Sequence, residues 1–317
     1  YGCSRCIGGR TSYRHVPPNI QAGCRYLIWM YMPDSIGLPP TLIMTASFIF
    51  GLLIGSFLNV VIYRLPLQLS ASWRRESLDF LGMEPDAQTT NVNIVAPASH
   101  CPKCGTEVKP WHNIPVFSYL LLRGKCSNCA APISLQYPLI EIACALITTF
   151  VIYHYGLTST GFLVLLFSWS LITLTSIDFN EQLLPDNITL PLLWLGLLIN
   201  THNTFTPLGD AVIGAAAGYL CLWWIFWVFK LLTGKEGMGH GDFKLLAALG
   251  AWMGWQQLLL IVLLSSLVGA LVGIAMIAFL GRDKQIPIPF GPYLAIAGWI
   301  ALIWGEQITG QYLALFT

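Results

Sequence analysis

Two acidic residues stand where acidic residues are costly. Asp178 ends the apolar run Thr175-Ser176-Ile177-Asp178, and Asp242 opens another within Gly237-Met238-Gly239-His240-Gly241-Asp242-Phe243-Lys244. An acidic group at the edge of a membrane span is a functional candidate, because hydrocarbon disfavours its charge. Two carboxylates on different helices can converge at one depth. Like charges a few ångströms apart cannot both ionise cheaply, so such a pair shares a proton near neutral pH. The ionised member can then take a proton from water while the protonated member polarises a carbonyl, which is the chemistry of peptide hydrolysis. Asp242 begins a helix, whose positive end favours the ionised form, and it is the expected base. The glycines before it let an extended backbone approach closely. Each aspartate alone reads equally as an interfacial helix cap. Glu181 and Asp186 share the loop after Asp178 and compete for its role. Glu141, early in the preceding span, is a candidate buried hydrogen-bonding partner. Lys244 is expected either to favour the charged form of Asp242 or to snorkel to the interface.

A second constellation is made of cysteines. Cys101-Pro-Lys-Cys104 and Cys126-Ser-Asn-Cys129 form two CxxC pairs with 21 residues between them. Each pair presents two thiolates from one tight turn, and two pairs complete a tetrahedral sulfur shell that suits structural zinc with no open position. Free thiols and redox pairs are the alternatives. His100 and His112 flank the module as solvated loop histidines. Cys3 and Cys6 have no matching second pair, and Cys24 is isolated. Cys144 and Cys221 lie inside apolar runs as small packing residues.

The elements that must position these groups are membrane helices. The chain has 317 residues, of which 55% are hydrophobic and 10% charged, with a mean hydropathy of +0.65. Soluble domains carry about 25% charged residues, so this is an integral membrane protein. The net charge of +1 gives no sign of nucleic-acid binding. Apolar runs cover Ile43–Tyr63 and then 138–155, 161–177, 188–201, 209–232, 244–256, 257–280 and 288–305. The expected fold is therefore an all-α polytopic membrane protein of about eight transmembrane helices. A small cytoplasmic four-cysteine zinc module (101–129) lies between the first two. The expected division is an N-terminal tail at 1–40, disordered or misassigned because Met30 and Met32 lie just ahead of the first apolar run. A first transmembrane helix at 42–64, a cytoplasmic loop at 65–136 and a membrane core at 137–308 follow. Beyond the tail, Lys and Arg fall at 64–125, at Lys230, Lys235 and Lys244, and at Arg282 and Lys284. With eight spans these loops share one side, which the positive-inside rule makes cytoplasmic. Both aspartates then face the cytoplasm.

Gly55-Ser56-Phe57-Leu58-Asn59-Val60-Val61-Ile62-Tyr63-Arg64-Leu65-Pro66 resembles the first-helix signature of the type IV prepilin peptidase family. So do the paired CxxC loop, Asn113-Ile114-Pro115, Gly124-Lys125-Cys126 and Gln136-Tyr137-Pro138 running into Glu141. Asp178 with Leu184-Pro185-Asp186, the stretch Gly239-His240-Gly241-Asp242-Phe243-Lys244-Leu245, and Pro289-Phe290-Gly291-Pro292 complete the likeness over about residues 45–305. The resemblance implies removal of the basic leader from type IV prepilins and type II secretion pseudopilins, at the cytoplasmic face of the bacterial inner membrane. It implies cleavage between a Gly and a first mature residue that is commonly Phe. The catalytic aspartates map onto Asp178 and Asp242. The four-cysteine loop is typical of members that then N-methylate the new terminus with S-adenosylmethionine. No Gly-rich nucleotide motif marks a methyl-donor site, and Glu141 is the one residue put forward for it. His240 and a long insert at 68–98 depart from the family pattern. Ser72–Asp86 in that insert suggests a short amphipathic helix on the membrane surface. The competing readings are a peptidase without methyltransferase activity, a zinc-ribbon membrane scaffold and a coupled transporter.

Overall fold

The computed structural model describes residues 38–83, 93, 99–109, 111, 114–235, 237–280 and 289–314. The expected tail with Cys3, Cys6 and Cys24, most of 84–98, His112, Arg282 and Lys284 lie outside the described residues.

The described residues are helical, with no strand longer than an isolated bridge. Helix α1 runs Pro40–Phe80, 41 residues with proline in its first turn, where no intrahelical N–H is needed. The sequence predicts that the chain leaves this helix near 64. Instead the helix continues through Pro66 as far as Phe80. At about 1.5 Å per residue α1 is roughly 60 Å long, about twice a hydrocarbon core. Its second half therefore projects from the bilayer, carrying Arg74 and Arg75. The surface helix expected at Ser72–Asp86 is, as far as Phe80, the end of α1. It stops at Gly82 (φ +63°), where the Met83 N–H donates to the Leu78 carbonyl at 2.9 Å and the Gly82 N–H to Asp79 at 3.0 Å.

The short helix α2 (Phe117–Leu121) lies between the two CxxC pairs. Then follow α3 (Gln136–Tyr155), α4 (Ser159–Glu181), α5 (Asp186–Asn200), α6 (Leu208–Thr233) and α7 (His240–Met253). A 3₁₀ turn (Trp255–Gln257) leads to α8 (Leu258–Leu280) and α9 (Gly291–Ala314). Gly254, at φ +81°, separates the merged apolar run of 244–280 into α7 and α8. Helices α1, α3, α4, α6 and the segment Trp255–Met276 are long and apolar enough to cross a membrane. Helices α5 and α7, with 15 and 14 residues, are shorter. From Asp242 to Met253 every residue of α7 except Lys244 is buried, so α7 is the centre of the bundle rather than a lipid-facing wall.

Glycines spaced four apart close two helix crossings. A Cβ added to Gly51 would lie 2.6 Å from the Ala145 Cα, and one on Gly55 would lie 2.7 Å from the Glu141 Cα, so α1 and α3 meet backbone to backbone. Gly214 and Gly218 do the same for α6 against α7, where a Cβ on Gly218 would lie 2.7 Å from the Leu246 carbonyl. These contacts fix directions. The Asn59 amide donates to the Tyr137 carbonyl at 3.1 Å, so the projecting half of α1 and the start of α3 share one end of the bundle. The end of α4 and the starts of α5, α7 and α9 gather at that same end, through the contacts of Asp178 and Lys244 described next.

Candidate active site

Asp178 occupies the last turn of α4 and is 5% exposed. The Gly291 backbone N–H, at the start of α9, donates to its Oδ2 at 3.0 Å. A side chain at 291 would intrude here, since a Cβ would stand 2.6 Å from that oxygen. Asp242 is the third residue of α7 and is 6% exposed. Its Oδ2 lies back toward the helix start, 3.9 Å from where a Cβ on Gly239 would be. Partial positive charge from the first N–H groups of α7 reaches it there. The two aspartates come from different helices, and one buried leucine connects their surroundings.

Leu184 packs against the glycines that adjoin them. A Cβ on Gly241 would lie 2.7 Å from the Leu184 Cβ, and one on Gly291 would lie 3.2 Å from its Cδ1. Gln182, in the left-handed conformation at φ 53°, ends α4 and turns Leu184 inward. Sequence reasoning passed over both Gly291 and Leu184. The available signal was that Pro289-Phe290-Gly291-Pro292 and Leu184-Pro185-Asp186 accompany the acidic motifs.

The expected competitors of Asp178 have other situations. Asp186 accepts from the Lys244 ammonium through both oxygens, each at 2.7 Å. Lys244 is thus fixed on Asp186 and does not merely snorkel. Glu181 is exposed. His240 packs its ring on Phe226 and Phe243, with centroids 5.2 and 5.3 Å apart. Glu141 is buried against α1, and its Oε2 accepts from the Val116 N–H at 2.7 Å. Val116, a β-branched residue at φ 58°, lies in the module linker. Glu141 therefore ties that linker to the start of α3.

The four cysteines converge as expected. Their sulfurs all lie within 4.8 Å of one another, and Cys101 and Cys129 are 3.8 Å apart. A tetrahedron with metal–sulfur bonds of about 2.3 Å has an edge of about 3.8 Å, so the set fits a closed tetrahedral metal centre. The two turns are built alike. Gly105 N–H donates to the Cys101 carbonyl at 2.9 Å, and Ala130 N–H to the Cys126 carbonyl at 3.0 Å. Both turn residues have positive φ. The Thr106 hydroxyl lies 3.4 Å from the Cys104 sulfur and accepts at 2.9 Å from the Asn128 amide, which joins the two turns. Cys144 is fully buried in α3 as expected. Cys221 instead is exposed on α6.

Comparison with known proteins agrees with this arrangement. Residues 49–155 match the family model described as the bacterial peptidase A24 N-terminal domain, and residues 165–274 match the type IV leader peptidase family. The prepilin leader peptidase/N-methyltransferase of Pseudomonas aeruginosa is 53% identical over 284 residues, covering 90% of this chain and 98% of that protein. The protein of the same name from Aeromonas hydrophila is 53% identical over 280 residues, covering 87% and 96%. That from Legionella pneumophila is 43% identical over 265 residues, covering 84% and 92%. No solved structure matches the chain. With relatives this similar along nearly their whole length, and with both family models in order, the chain belongs to the type IV leader peptidase family.

Proposed function

We propose that this protein is a membrane aspartic peptidase that cleaves the basic leader from prepilins and pseudopilins and then N-methylates the new amino terminus. The observation that carries the reading is the meeting of Asp178 and Asp242, two buried carboxylates from separate helices, at one end of the bundle. The pair holds one proton as a unit. Asp242 has the start of α7 and Asp178 has the Gly291 N–H, so each member has its own stabiliser and the base is the pair rather than Asp242 alone. The ionised carboxylate takes a proton from water as its oxygen bonds to the scissile carbonyl carbon. The protonated carboxyl donates to the carbonyl oxygen. The tetrahedral intermediate then collapses, the C–N bond breaks, and the departing amine takes up the proton. Gly239, with nothing closer than 3.9 Å to where its Cβ would be, leaves space for an extended peptide beside the pair.

The division of the chain follows. The part of α1 up to residue 64 lies in the membrane, 65–136 forms a cytoplasmic section with zinc held by Cys101, Cys104, Cys126 and Cys129, and 137–308 forms the peptidase core. The aspartate end carries Lys230, Lys244 and the module, a basic side that reads as cytoplasmic in the inner membrane. A prepilin's cut point, between a basic leader and an apolar helix, would be held at that depth. S-adenosylmethionine supplies the methyl group to the freed amine. Glu141 is the residue put forward for that step, through its hold on the linker at Val116.

The test uses membranes containing the protein and a prepilin with a Gly-Phe junction, read by mass. Leader loss is expected with the parent and not with Asp178→Asn or Asp242→Asn. A further gain of one methyl group is expected when S-adenosylmethionine is added. Cleavage by both variants would refute the aspartate pair. Metal analysis should find zinc in the parent and none in a Cys101→Ser/Cys129→Ser variant.

A further inference from the structure

We propose that the Asp186–Lys244 ion pair, with Leu184 beside it, is a latch that sets the spacing of Asp178 and Asp242, which makes all three positioning residues for the cleavage. The proposal rests on the reading of those aspartates as the catalytic pair.

Three observations lead to it. Lys244 stands two residues beyond Asp242 and is the one residue from 242 to 253 that is not buried. An otherwise enclosed helix thus carries a single cation at its rim. That cation meets both oxygens of Asp186, the first residue of α5, at 2.7 Å each. Between Asp178 and Asp186 the chain must turn at Gln182 and drive Leu184 inward. There Leu184 fills the crevice between Gly241, which precedes Asp242, and Gly291, whose N–H holds Asp178. The latch therefore closes a short ring that runs through α4, the 182–186 turn and α7, with one catalytic aspartate on each side. Opening it would free α7 to shift against α4 at the depth of the reaction.

The magnitudes support positioning over stabilisation. The side chains of Lys244 and Asp186 are 30% and 50% exposed, and ion pairs of that kind add little to fold stability. Displacing a reacting group by about 1 Å, in contrast, can cost about 10²-fold in rate. Two other roles are open to the same residues. Lys244 could act directly on the charge of Asp242, or Asp186 could bind a basic residue of the substrate leader.

The full-length enzyme, in detergent or bilayer discs, would be assayed on a prepilin with Asp186→Asn, Lys244→Met, the double variant, Lys244→Arg and Leu184→Ala, with Asp178→Asn alongside. The latch predicts that kcat falls roughly tenfold or more in each single charge variant, within the range that misplacement produces. KM and thermal stability should stay near those of the parent. The double variant should be no worse than the worse single one, Lys244→Arg should regain most of the rate, and Leu184→Ala should lower kcat. Multiplying losses in the double variant would overturn the proposal. So would a pH profile moved by Lys244→Met and not by Asp186→Asn, which would make Lys244 a direct electrostatic partner of Asp242. A raised KM in Asp186→Asn that depends on leader charge would make Asp186 a recognition residue instead. Unchanged kcat in both singles, with Asp178→Asn inactive, would sink the latch alone. Activity in Asp178→Asn would sink the catalytic reading beneath it.

Discussion

Helices α5 and α7 run in parallel, and their two ends are built on opposite principles. At the far end Asn200 is fully buried and satisfied. Its amide donates to the Ala251 and Trp252 carbonyls at 2.8 and 3.1 Å, and its Oδ1 accepts from the Phe205 and Thr206 N–H groups at 3.0 and 3.2 Å. Trp252 is also buried there, donating to the Leu192 carbonyl at 2.8 Å and packing on Phe167 and Phe205. At the aspartate end the same two helices are joined by a partly exposed ion pair, and glycines replace the bulky side chains. One end is an anchor in which Asn200 and Trp252 are paired inside low-dielectric packing, which rigidifies it. The other has its partly exposed charges at the rim, with the two aspartates buried beneath them. The paired contacts at the far end limit how far α5 and α7 can move.

Five substitutions sharpen or break this contrast. The largest effect is expected from Asp178→Asn or Asp242→Asn, which should reduce leader cleavage by roughly 10²–10⁴-fold while thermal unfolding changes little. Gly291→Ala comes next. Its Cβ would push on Asp178 Oδ2, and a loss of up to about 10² in kcat is expected, with protein level and metal content retained. Asn200→Ala should behave in the reverse sense. It orphans buried donors and carbonyls, costing about 1–3 kcal/mol of stability in a denaturation assay, while the enzyme that remains folded keeps its kcat. Asp186→Asn should be the smallest in stability, under about 1 kcal/mol. If Asn200→Ala altered kcat as strongly as Gly291→Ala, or if Gly291→Ala unfolded the protein, the two ends would not be separable.

Much of the site could be read from residue types. The two CxxC pairs fit one tetrahedral centre because ligand spacing is a local property of tight turns, and their sulfurs do converge. The aspartates stood out because charge beside long apolar runs is costly. The length of α1 was less legible. Hydropathy marks where a chain leaves hydrocarbon, not where its backbone stops being helical. The partners of the acidic residues were not legible either. Lys244 lies two residues from Asp242 yet pairs with Asp186, 58 positions away. The Gly291 N–H reaches Asp178 across 113 positions.

By itself the sequence determined that this chain is a helical membrane protein with a four-sulfur centre and acidic residues at span edges. Composition, periodicity and local spacing are carried by neighbours along the chain. Only the tertiary structure decided that Leu184 packs against both Gly241 and Gly291, that the Gly291 N–H serves Asp178, and that Lys244 holds Asp186. Those pairings depend on which helix faces which, and that is set by the close glycine crossings of α1 with α3 and α6 with α7 rather than by any local pattern.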